Sequence, residues 1–97
     1  MCGIIGVNSN KPVSSTIVNS LKKLEYRGYD SAGIATLSDG SINEVKSEGR
    51  VNNLEKNSLV KSMEGTIGIG HVRWATHGLP NSINAHPHSS QNVSVVH

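Results

Sequence analysis

Apolar and polar positions change period several times along this chain, and each change marks an element. Residues 2–8 (Cys-Gly-Ile-Ile-Gly-Val-Asn) form a short apolar run with no polar alternation, which predicts a strand buried on both faces with Cys2 at its free end. Pro12 is tolerated in a first helical turn. Val13, Ile17, Val18, Leu21 and Leu24 then recur at helical spacing until Gly28, which predicts a helix over about residues 12–25. Two runs, 31–37 and 42–47, flank Asp39-Gly40, a pair suited to a tight antiparallel hairpin because Gly accepts positive φ. The second run is polar and is expected at a sheet edge. Residues 51–63 offer Val51, Leu54, Leu59, Val60 and Met63 at irregular spacing, a poorly patterned helix.

The segment 66–74 alternates, with Ile67, Ile69, His71 and Arg73 on one face and Gly68, Gly70, Val72 and Trp74 on the other. This strand delivers a cation and an aromatic ring to its end. Residues 75–92 are rich in Gly, Pro, Asn, Ser and His and predict a long ordered loop, the kind that usually carries function. Residues 93–97 then start a further strand, expected in the same sheet as 66–74. The order β-α-β-β-α-β with an antiparallel hairpin argues for an α+β fold rather than a doubly wound parallel sheet.

Composition narrows the setting. With 97 residues, no Phe, one Trp and two Tyr, the chain holds at most one domain with few large core residues. A single cysteine excludes an internal disulfide framework and fits a reducing compartment. No apolar run reaches membrane-spanning length and no basic-then-apolar leader opens the chain, so a cytoplasmic location is expected. Nine Lys and Arg against seven Asp and Glu give a net charge of +2, spread along the chain apart from Lys22-Lys23, which points to neither a nucleic-acid nor a membrane partner.

The lone cysteine follows Met1 directly. Removal of that methionine gives a residue with both a thiol and a free α-amine, a nucleophile with its own base, one bridging water carrying the proton between them. Position alone also allows Cys2 to be a small hydrophobe opening a strand.

Four segments together decide between these readings. Met1-Cys2-Gly3-Ile4-Ile5-Gly6, residues 24–35 (LEYRGYDSAGIA), residues 70–78 (GHVRWATHG) and Asn84-Ala85-His86-Pro87-His88 resemble, in order and spacing, the class II glutamine amidotransferases. The stretch 25–35 is closer to the branch that passes ammonia to a hexose phosphate than to the branch that uses phosphoribosylpyrophosphate. The resemblance implies an N-terminal-nucleophile hydrolase fold, an αββα sandwich of which residues 1–97 form a partial, truncated version: an incomplete glutaminase domain without the sugar isomerase domains. It implies that Cys2 attacks the side-chain amide of L-glutamine, that ammonia leaves, and that water hydrolyses the thioester. No cofactor is called for.

The resemblance also assigns residues. Arg73 is implied to hold the glutamine α-carboxylate, a task suited to a planar fork of donors, and Thr76 and His77 to complete that pocket. Trp74 resembles an indole beside the ammonia path, although a single Trp is also a natural core residue. Arg27 and Gly28 resemble residues packed beside the nucleophile, where a cation would favour the thiolate; read alone, Arg27 is a helix-end charge. Tyr29 and Asp30 read as structural. His86 and His88 have no carboxylate or second thiolate beside them, which argues against a metal site, and the resemblance implies that they shape the glutamine loop instead. Gly68-Ile69-Gly70 lacks the third glycine of a nucleotide loop.

Some positions depart from the family. Its oxyanion hole comes from an Asn-Gly pair just after the position of His97, and a later Asp binds the substrate ammonium; neither lies in residues 1–97. Leu79 stands where a polar residue is expected, and residues 81–83 and Ser94 have drifted. Two expectations follow: a glutaminase segment inactive by itself, completed by the remainder of the enzyme or a complementary chain, or a non-catalytic remnant or binding fragment of a decayed or split gene.

Overall fold

The computed structural model describes residues 1–97, and its centre is a four-stranded antiparallel sheet in the order β1-β4-β2-β3. The strands are β1 (Gly3–Asn8), β2 (Ser31–Ser38), β3 (Ser41–Glu48) and β4 (Ile67–Arg73). The hairpin turns at Asp39 and Gly40, with φ of 51° and 76°, the double positive that the Asp-Gly pair predicts. It pairs Ser38 with Ser41 and leaves polar β3 at one edge, as expected.

One sheet face is covered by α1 (Ser14–Leu24), α2 (Val51–Glu55) and α3 (Ser58–Lys61). Val13, Ile17, Val18 and Leu21 of the first helical segment join Ala32, Ile34, Val45, Val51, Leu54, Val60, Met63 and Val72 in one core. Gly68 and Gly70 leave room for Ile17 and Leu21, since a Cβ at Gly70 would stand 2.5 Å from Ile17. That packing is what the Gly-Ile-Gly run does. A 3-10 turn over Glu25–Arg27 ends the helix at Gly28.

Several expectations are corrected. β1 lies at an edge and is buried on one face only: its pattern alternates and Ile4 is 55% exposed, because α1 covers one face of the strand and the other is left open. The irregular helix over 51–63 is two short helices, broken where the Asn57 side chain accepts the Leu59 N–H at 2.9 Å, and Leu59 points to solvent. The strand near the end, β6 (Ser94–Val95), pairs with β5 (His88–Ser89) in a separate two-stranded sheet and never joins β4. Residues 84–97 instead cross the second face of the main sheet as a strap, leaving Ile4, Leu37 and Ile67 exposed around it.

Candidate active site

The ends of β1 and β4 meet where the strap crosses the sheet. Gly3 pairs with Val72, so Cys2 leaves β1 beside the last residues of β4. The Trp74 N–H donates to Cys2 Sγ at 3.4 Å, and the thiol faces the Trp74 carbonyl at 3.9 Å. An amide N–H aimed at sulfur holds a thiolate more strongly than a neutral thiol.

The turn after α1 clamps this junction. Gly28 lies so close to β4 that a Cβ would stand 2.5 Å from the Arg73 carbonyl carbon and 2.6 Å from Trp74 N. No other residue fits there. Asp30 donates its N–H to the Arg73 carbonyl at 3.1 Å and accepts the Ala75 N–H on Oδ2 at 2.7 Å. The structural role expected of Asp30 is thus a specific one: it fixes the path of the chain through Trp74. Arg27 donates Nε–H to the Cys2 carbonyl at 2.9 Å, so the guanidinium expected to pack beside Cys2 meets that residue through its backbone.

Cys2, Arg73, Trp74, Thr76, His77, Asn84, His86, His88 and His97 line one cleft of about 290 Å³. Larger hollows lie beside α1 and α3 (about 690 Å³) and over β3 (about 390 Å³), and neither is lined by any Cys, His or Arg. The buried Arg73 guanidinium donates to the Leu79 carbonyl at 3.0 Å and to the His77 carbonyl, folding residues 77–79 over itself. Its fork therefore shapes the loop as well as facing the cleft. Trp74 is not a core residue: it is half exposed and meets Tyr29 edge-on at 6.5 Å. Arg50 sits 4.7 Å above the Tyr29 ring.

Beneath the cleft, His86 stacks on His71 at 4.2 Å and packs against His88 at 4.4 Å and His97 at 4.6 Å. Nε2 of His71 lies 2.6 Å from the His97 carbonyl, so the proton belongs on Nε2 and Nδ1 is left bare. Burial lowers the pKa of both inner rings; for His86, repulsion from His71, His88, His97 and Arg73 adds to burial and brings it to about 4. Both rings are neutral near pH 7. The rings stack rather than converge, and no group of three or more His, Cys, Asp or Glu takes a metal-holding arrangement.

The strap can lie this close because Gly33 carries no side chain: a Cβ there would stand 1.9 Å from the His86 carbonyl oxygen. Lys46 is the other contact that sequence reasoning missed, since a lysine on a polar edge strand carries no signal of its own. Asn84, His86 and His88 lie in the fourth matched segment, and pattern alone gave them no position.

No family model matches the chain. Glutamine–fructose-6-phosphate aminotransferase (isomerizing) of Agrobacterium fabrum is 54% identical over all 97 residues, and that of Clostridium acetobutylicum is 57% identical over 99 aligned positions. The chain is homologous to the N-terminal glutaminase region of these aminotransferases. It spans 16% of the length of either. Among solved structures, glutamine phosphoribosylpyrophosphate amidotransferase from B. subtilis superposes with a TM-score of 0.77 at 25% identity, over 97% of this chain and 20% of that one. A second, the allosteric regulatory enzyme of purine biosynthesis, gives 0.78 at 25% identity over 90% of this chain and 18% of its own. The mixed helix and sheet architecture is thus that of part of an N-terminal-nucleophile amidotransferase, while the sequence is nearer the fructose-6-phosphate aminotransferases, the glucosamine-6-phosphate synthases. No helix is long and apolar enough to cross a membrane.

Proposed function

We propose that residues 1–97 supply the nucleophile and the α-carboxylate pocket of a glutaminase that feeds ammonia to fructose 6-phosphate. The observation that carries this reading is the placing of Cys2 Sγ, 3.4 Å from Trp74 N, in the same cleft as Arg73, Thr76 and His77. Met1 is 76% exposed and open to removal. Its loss converts the Cys2 nitrogen from an amide into an amine that takes the thiol proton through one water. The thiolate attacks the side-chain amide carbon of L-glutamine while Arg73 directs donors at its α-carboxylate. The tetrahedral adduct collapses as the α-ammonium returns a proton to the leaving nitrogen, and ammonia departs. Water then cleaves the γ-glutamyl thioester, giving glutamate and the free thiol.

Residues 1–97 act on this reading as an incomplete glutaminase domain. The oxyanion donors, the ammonium-binding carboxylate and the sugar-converting domains belong to the part of the relatives' length outside them. The exposed sheet face around Ile4, Leu37 and Ile67 is where the rest of the glutaminase would pack. A free catalytic thiol suits the reducing cytoplasm.

The test is alkylation of Cys2 in the chain by a chloroketone analogue of L-glutamine, whose chloride leaves as the sulfur–carbon bond forms. Intact mass is expected to show loss of Met1, and labelling to saturate with reagent and slow in the presence of L-glutamine. Labelling linear in reagent and indifferent to glutamine would leave a non-catalytic remnant as the better description.

A further inference from the structure

Resting on that reading of the cleft, we infer that Lys46, on the edge strand far from the nucleophile in sequence, is a positioning residue that seats the histidine wall of the glutamine site. Lys46 shares a sheet face with Gly33 and His71, the face crossed by the strap. Its side chain is only 17% exposed, although it lies on an outer strand. An ammonium covered to that extent needs acceptors. It has two: Nζ donates to the Ala85 carbonyl at 2.9 Å and lies 3.7 Å from Glu44 Oε1. Glu44 in turn accepts the Ser89 hydroxyl on its other oxygen, and Ser89 Oγ is 2.8 Å from Ser94 Oγ.

The strap is therefore pinned at Ala85 and at Ser89. Asn84, His86 and His88, three of the side chains that line the cleft, sit beside or between those two points. Ala85 is fully buried and its carbonyl points to the strand, so releasing it frees the wall without touching Cys2, Arg73 or Trp74. The neutral stacked rings of His71 and His86 offer no charge of their own to hold the strap. Charge reaches the strap from β3 instead: the Lys46 ammonium holds it at the Ala85 carbonyl and the Glu44 carboxylate at the Ser89 hydroxyl.

The experiment compares Lys46→Met and Lys46→Arg with the unaltered chain, using the glutamine-like chloroketone and, separately, iodoacetamide. Lys46→Met is expected to raise the half-saturating chloroketone concentration about tenfold, the loss of one hydrogen bond from a charged donor, while the limiting rate and the iodoacetamide rate change less than about twofold. Lys46→Arg, which keeps a cationic donor, should lie within about threefold of the unaltered chain. A half-saturating concentration unmoved in Lys46→Met overturns the inference and leaves the glutaminase reading standing, because the unaltered chain still saturates. An unaltered chain that never saturates defeats that reading first, and this inference with it. Equal falls in chloroketone and iodoacetamide labelling, or a loss of cooperative unfolding in Lys46→Met with no recovery in Lys46→Arg, would mark Lys46 as a general structural residue and also overturn the inference.

Discussion

The Asp30 carboxylate accepts the backbone N–H of Ala75 at 2.7 Å, joining two points 45 residues apart next to the Trp74 amide that contacts Cys2 Sγ. Together with the Asp30 N–H on the Arg73 carbonyl, it sets the direction in which the chain leaves β4, and so where the Trp74 N–H points. Asp30→Ala is expected to cost about 1–2 kcal/mol of stability, since a half-buried charged acceptor is lost and the Ala75 N–H is left without its partner. Chemical denaturation checks this. The same variant should alter the iodoacetamide reactivity of Cys2 severalfold while Asp30→Asn, which keeps one oxygen, changes it less. Identical reactivity in all three chains would separate Asp30 from the nucleophile's position.

Arg73 holds the 77–79 loop and, in the proposed function, the glutamine α-carboxylate, and a lysine would perform each task less well. The guanidinium already spans the Leu79 and His77 carbonyls, and a single ammonium cannot reproduce that fork. Arg73→Lys should weaken saturable chloroketone labelling by roughly 1.5–3 kcal/mol, the range for a charged hydrogen bond. Proteolysis should also become faster in the 75–84 loop. Unchanged half-saturation with faster loop cleavage would assign Arg73 to the loop alone.

Acid should loosen the strap. The folded pKa of His86 is lowered to about 4 from 6.5, so the unfolded chain binds a proton that the folded chain refuses throughout that interval. Stability from this group is complete above the unfolded pKa and is lost as the pH falls from about 6.5 towards about 4. The loss is roughly 2–4 kcal/mol, since each tenfold difference in proton affinity between the two states is worth about 1.4 kcal/mol, and His71 acts in the same direction. Urea midpoints across that interval should fall in the unaltered chain and fall less in His86→Leu. Parallel curves would show that His86 titrates alike in both states.

Much of this molecule follows from local rules. The hairpin follows from Asp39-Gly40 between two β-forming runs, α1 from its spacing of Val and Leu, and β4 from strict alternation, because each depends on residues within a turn or two of one another. The prominence of Cys2 follows from its position alone. Four matched segments were enough to name the family and to nominate Arg73, Trp74, Thr76 and His77, and the structure gathers all four in one cleft with Cys2.

Pairing partners were not legible, because strand order depends on which edges meet after collapse and not on any one run. For that reason β1 proved an edge strand and β6 joined β5 instead of β4. The contacts of Asp30, Gly33 and Lys46 were hidden for a related reason. Each is ordinary in its own segment and acquires its contact from a backbone tens of residues away, Asp30 from the end of β4 and Gly33 and Lys46 from the strap, whereas Gly28 was nominated by its matched segment and only its fit against Arg73 and Trp74 needed the tertiary structure. Sequence determined which segments match the family and that a lone cysteine follows Met1; close approach between distant segments decided where the Cys2 thiol points and which backbones meet around its cleft, because such contacts depend on the packing of elements and not on any one run.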